Sequence, residues 1–138
     1  MAGLGKDIRV DGQNYAEAKV LPKNTTSYSD SLEVGKGGQN ASVNVKGVVD
    51  TKIVMAQNKK VTIKLQDSDT NVTEDYADKF TIKEITSPAD EAYSIPIGTV
   101  LFNSVLAPDT KKYTRIALTS DDAGLEGKID IYPQYVPR

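Results

Sequence analysis

The sequence predicts an all-β domain, a sandwich or barrel of eight or nine short strands, on three observations. Its clear apolar segments alternate with period two rather than with helical spacing. Turn-forming clusters of Gly, Pro, Asn and Asp separate them at short intervals. Hydrophobic residues make up 38% of the 138 positions, supplied mostly by Val, Ile, Leu and Tyr with two Phe and no Trp. That composition suits thin aliphatic layers between sheets packed face to face. The length fits one domain around one core.

Taken in order, residues 7–10, 18–21 and 29–34 are short strand candidates, the first closed by Asp11-Gly12 and the last by the run Gly35-Lys36-Gly37-Gly38. This first stretch, 1–40, has more Gly, Asn and Ser and fewer large aliphatics, so it reads as an N-terminal arm with the first short strands. The sandwich core is then 41–138. In 42–48 (SVNVKGV) every second residue is valine, as a half-buried strand requires. Residues 61–65 (VTIKL) repeat the pattern with Thr62 and Lys64 toward water. A brief helix is predicted at 74–79, where Thr73 would cap and Tyr76 and Phe80 would share a face. Strand candidates at 80–85, 99–104 and 113–119 follow, with a polar loop or brief helix across 85–93. The turns Pro108-Asp109 and 121–124 (DDAG) each divide two apolar strands, and 128–132 (KIDIY) closes the alternation.

Charge and composition narrow the chemistry. A net charge of -2 with both signs interspersed gives no steering toward nucleic acid or anionic membrane. With no Cys and no His, the chain lacks a thiolate nucleophile, an imidazole base and the usual zinc ligands. The absence of cysteine also fits synthesis in a reducing compartment. The first residues, MAGLGKDIRVDG, hold no basic segment followed by an apolar run, and no stretch reaches the roughly 20 apolar residues of a membrane span. The chain is read as soluble and unexported, and its three sequons, at Asn24, Asn40 and Asn71, as a product of abundant Asn and Thr.

Four constellations invite a functional reading. Asp67, Asp69 and Asn71 place oxygen ligands at alternate positions, like the start of an EF-hand loop. The match then fails, because Val72 stands where the turn glycine belongs and Asp78 where the bidentate Glu belongs. A solvated turn is the favoured reading, and no metal or other cofactor is assigned. Asp121 and Asp122 beside Glu126 resemble paired catalytic carboxylates. A tight turn gives them no separate environments, so they read as a polar hairpin tip. Gly35-Lys36-Gly37-Gly38 lacks the spacing of a phosphate loop. Near the end, Tyr132 continues its strand, whereas Tyr135 to Arg138 combine residue types enriched at interfaces.

Three segments in order resemble the cement, or decoration, proteins that Bordetella-type podophages place on their capsids: 61–69 (VTIKLQDSD), 95–102 (IPIGTVLF) and 112–118 (KYTRIAL), the last followed by a Gly-containing turn and KIDI at 128–131. The similarity covers about 40–138. Where that family has a turn of Gly and small residues after its Tyr-x-Arg strand, this chain has a more acidic one. The resemblance implies a jelly-roll-like sandwich of about eight strands without enzymatic activity, a homodimer or homotrimer that binds major capsid protein on the outer surface of an assembled virion. Contacts to capsid and partner are expected from Leu4, Ile8, Arg9 and Tyr15 in the arm and Tyr135, Val136 and Arg138 in the tail. Two alternatives from other classes are a carbohydrate- or receptor-binding sandwich, with tyrosine faces against sugar rings, and an enzyme working with carboxylates alone.

Overall fold

A computed structural model describes residues 14–33, 41–107 and 109–137, with side chains throughout except at 41, 42 and 135–137. Among them nine strands form: β1 Ala16–Val20, β2 Thr26–Tyr28, β3 Ala41–Met55, β4 Lys60–Ser68, β5 Ala77–Thr86, β6 Tyr93–Ile95, β7 Val100–Val105, β8 Tyr113–Ser120 and β9 Glu126–Pro137. They make two antiparallel sheets. One runs β1-β9-β3, with β6 and β7 sharing the far side of β3; the other runs β2-β8-β4-β5. The all-β sandwich read from the sequence is the fold.

The long strand β3 is the spine of the first sheet. It pairs with β9 from Ala41↔Pro137 to Val54↔Glu126, and on its other side with β7 and then β6. Its odd-numbered residues Val43, Val45, Val49, Ile53 and Met55 are buried. Opposite them lie Val61, Ile63 and Leu65 of β4 and Ile116 and Leu118 of β8, with Ile129 and Ile131 of β9 beside them in the first sheet. Each such aliphatic side chain contributes about 1.5–3 kcal/mol by leaving water. Gly47 also faces inward, and a Cβ there would lie 2.3 Å from the Phe102 ring. The glycine therefore makes room for one of the chain's two phenylalanines.

Three local expectations are corrected. No helix forms at 74–79. A single 3-10 turn, Thr73–Asp75, has Val72 at its N-cap position and no side-chain cap, and the chain then enters β5. Pairing of β5 with β4 from Asp67↔Ala77 to Lys60↔Thr86 takes up the backbone groups a helix would have kept, and packs Phe80 and Ile82 against the core. Tertiary pairing outweighs the weak helical pattern. The strand expected at 29–34 lies earlier, at β2. Beyond Tyr28 the Ser29 hydroxyl accepts from the Ile116 N–H at 2.7 Å and Leu32 keeps only a lone bridge to Thr114. Finally, the loop or brief helix expected across 85–93 is trimmed at both ends, because β5 runs on to Thr86 and β6 begins at Tyr93.

Within the stretch expected to hold the arm and the first short strands, residues 14–33 supply two edge strands, the first overlapping the strand expected at 18–21. β1 borders the first sheet on β9, and β2 borders the second on β8. The remainder of the expected arm, the strand at 7–10 and the glycine run at 35–38 lie outside the described residues. No helix among the described residues is long and apolar enough to cross a membrane.

Candidate interaction surfaces

Tyr15, expected as a surface contact, belongs to the core. It is 1% exposed, and its hydroxyl shares a 2.6 Å hydrogen bond with Thr114 Oγ1 of β8. Its N–H donates to Ile131 O at 2.8 Å, and its carbonyl accepts from Asp30 N–H at 2.9 Å. One residue thus ties the start of β1 to both sheets. Burying an aromatic ring there is worth more to the fold than an exposed contact would be. Of the other expected contacts, Tyr135 and Val136 have their backbones in β9, opposite Val43 and Ser42, with side chains outside the described set. Leu4, Ile8, Arg9 and Arg138 are outside it altogether.

The outer face of the second sheet carries a polar row that follows directly from strand register. With Ile116 and Leu118 inward, Arg115 points outward. It stands opposite Gln66, which stands opposite Asp78 on the next strand. Arg115 Nε donates to Gln66 Oε1 at 2.7 Å, and Gln66 Nε2 donates to Asp78 Oδ1 at 2.9 Å. Lys64 Nζ reaches Asp78 Oδ2 at 3.2 Å. Tyr28 from β2 and Tyr76 from the turn before β5 stack on the guanidinium, with ring centroids 4.1 and 4.3 Å from Cζ. Hydrogen bonds from Gln66 and then Lys64 hold the Asp78 carboxyl below the usual carboxylate range. Because the folded-state value is depressed, this contribution is present above that range and fades as pH falls through it. The groups are exposed, so it is small. The row is a satisfied, rigid patch in which Tyr28 remains 46% exposed.

Three of the carboxylates singled out in the sequence, Asp67, Asp121 and Asp122, accept from backbone N–H groups. Asp122 is 2% exposed: Oδ2 accepts from Ala56 N–H at 2.8 Å and Oδ1 from Gly124 N–H at 2.9 Å. Asp121 Oδ1 accepts from Lys60 N–H at 2.7 Å. The pair expected at a solvated hairpin tip therefore clamps the turn between β3 and β4. From the other side Ser87 Oγ holds the same turn, accepting from Lys59 N–H and donating to Ala56 O. Asp67, of the calcium-like run, is 5% exposed and accepts from Lys111 N–H at 3.0 Å. Asn71 Oδ1 accepts from the hydroxyls of Ser31 and Tyr76, and Asp69 is exposed. Among the described residues no three acidic side chains converge as metal ligands.

The apolar counterpart of the polar face is one margin of the sandwich. Tyr93, Ile97, Val100 and Val105, exposed by 41, 68, 51 and 60%, follow β6, the turn after it and β7. A shallow groove runs between this margin and β5, with Tyr93, Val100 and Leu101 on one wall and Lys83 and Ile85 on the other. Sequence reasoning missed both surfaces. Neither the stacking of Tyr28 and Tyr76 on Arg115 nor the bare margin of β7 is visible until the strands are ordered.

No protein-family model matches the chain, and no curated protein matches it.

Proposed function

We propose that this chain is a structural cement protein that binds the outer surface of an assembled phage capsid and stabilises it by bridging major capsid protein subunits. The observation that carries the reading is the strand order. Two antiparallel layers, β1-β9-β3 with β6 and β7 both on the far side of β3, and β2-β8-β4-β5, support the jelly-roll-like sandwich that the resemblance at 61–69, 95–102 and 112–118 implies. Two of those segments become neighbours, with Gln66 paired to Arg115 across β4 and β8. The role is mechanical rather than enzymatic, and the loop carboxylates serve the fold. Binding only the assembled lattice stabilises that lattice by linkage, and many symmetric copies turn modest contacts into tight attachment. On this reading the chain is made in the host cytoplasm and acts on the virion surface as a homodimer or homotrimer, without cofactor, nucleic acid or membrane. The contacts reside in Leu4, Ile8 and Arg9 and in Tyr135, Val136 and Arg138.

Co-sedimentation with shells of the cognate phage tests it. Saturable binding to expanded shells and none to unexpanded precursors is expected, with weaker binding after deletion of residues 1–13. Equal binding to both shell forms, or to neither, overturns the reading. The second reading, a carbohydrate- or receptor-binding virion module, draws on the half-exposed Tyr28 ring beside Gln66 and Asp78. The hydrogen-bonding groups of that row already serve one another, which leaves less for a sugar. Glycan binding abolished by Tyr28→Ala would favour it.

A further inference from the structure

Sheet edges with unpaired backbone groups attract other strands, and folded proteins guard them with charge, bulges or shortness. Four edges here follow that rule. β1 carries Glu17 and Lys19 and is bulged between Ala16 and Lys19, with Ala18 at φ 47°. β2 and β6 are three residues each. β5 carries Asp78, Lys79, Lys83 and Glu84. β7 does not follow it: six residues, VLFNSV, without a charge, paired among the described residues only to β3. Register shows which groups are left over. Leu106 N–H donates to Val43 O, so alternate residues of β7 bond to β3, and Asn103 and Val105, opposite Lys46 and Asn44, turn their N–H and C=O groups outward. Both side chains are exposed.

We infer that β7 pairs with β7 of a second copy of this chain, antiparallel about a two-fold axis, joining two first sheets into one continuous sheet. The uncharged strand is what selects a second copy. Two-fold pairing of β5 would bring its Lys and Asp/Glu side chains against their own kind, whereas β7 brings together Asn103, Ser104 and Val105 with no like charges opposed. Val100 and Val105 at the ends of the strand lose water in the same step, and Ile97 and Tyr93 lie along the continuation of the margin. A six-residue edge is small beside the roughly 1,200–2,000 Å² of stable interfaces. The dimer is accordingly weak in solution. The inference selects dimer over trimer and stands on the fold alone, so it survives or fails separately from shell binding.

The test exploits register. Asn103→Pro removes an N–H that points away from β3, which an edge strand tolerates, while blocking addition of a strand. Val105→Lys opposes charges near the two-fold axis and leaves the fold unstrained. By sedimentation equilibrium the wild type is expected to rise with concentration from 14.9 kDa toward twice that mass. Each variant should raise the dissociation constant by about tenfold or more, with circular dichroism unchanged. A wild type that stays at single-chain mass throughout the micromolar range, that reaches a trimer, or whose dimer is equally tight in Val105→Lys overturns the inference. Should Asn103→Pro disturb the fold, Val105→Lys decides.

Discussion

Asp122→Ala is expected to lower the unfolding midpoint by roughly 6–12 °C, the equivalent of about 2–3 kcal/mol for a domain of this size. The carboxylate is buried and accepts from the Ala56 and Gly124 N–H groups, while the Asp122 main chain is held by Ser120 Oγ and by Asn24 N–H. Hydrogen bonds to an ionised acceptor are the stronger kind, and removing it leaves donors at two turns without their partner. Those turns connect β3 to β4 and β8 to β9, so the loss is felt in both sheets. Asp122→Asn keeps the shape and one acceptor and should lose about half as much. Thermal unfolding of both variants checks the claim. A midpoint within a degree of wild type in Asp122→Ala would mean that the clamp contributes nothing.

Gly127→Ala is expected to cost about 3 kcal/mol or more. Gly127 sits where Lys52 and Ile53 of β3 face a single residue of β9, since Thr51 pairs with Lys128 and Val54 with Glu126. Its φ of 129° lies where side chains are strained, and a Cβ would come 2.8 Å from the Ile53 Cα, a backbone atom that cannot turn aside. Gly98 separates the two causes. It has a φ of 86° with nothing within 4 Å of a Cβ, so Gly98→Ala should show the strain alone, about 1 kcal/mol. Denaturant titration of the pair measures the difference. Equal losses at the two sites would contradict the close approach at the bulge.

The strands that were legible are those whose side chains report their burial locally. Val43-Asn44-Val45 and Val61 to Leu65 alternate because one face of each meets the other sheet. The helix expected near Tyr76 failed for the converse reason. Its pattern was short, and β4 offered β5 a full ladder of partners that no local window contains. The early residues misled through composition. A stretch poor in large aliphatics still supplies Tyr15, Ala16 and Leu21 to the core, because an edge strand needs only a few inward residues when its neighbour provides the rest. Polar sites were the least legible. Asp121-Asp122 reads as a wet turn until the β3–β4 turn arrives from 66 residues away to bury the second carboxylate. The Arg115–Gln66–Asp78 row joins residues on three strands whose order only the folded chain fixes. Its members could be singled out as motif residues, but not brought together.

Under the proposed function, binding by this chain stabilises an assembled shell without chemistry. Heating purified expanded shells with and without saturating protein, alongside dissociated capsid subunits treated identically, tests it most directly. The shells are expected to come apart at a higher temperature when the protein is bound, and the midpoint of the isolated subunits to stay where it was. An unchanged shell midpoint at saturation, or an equal rise in the free subunits, would contradict it.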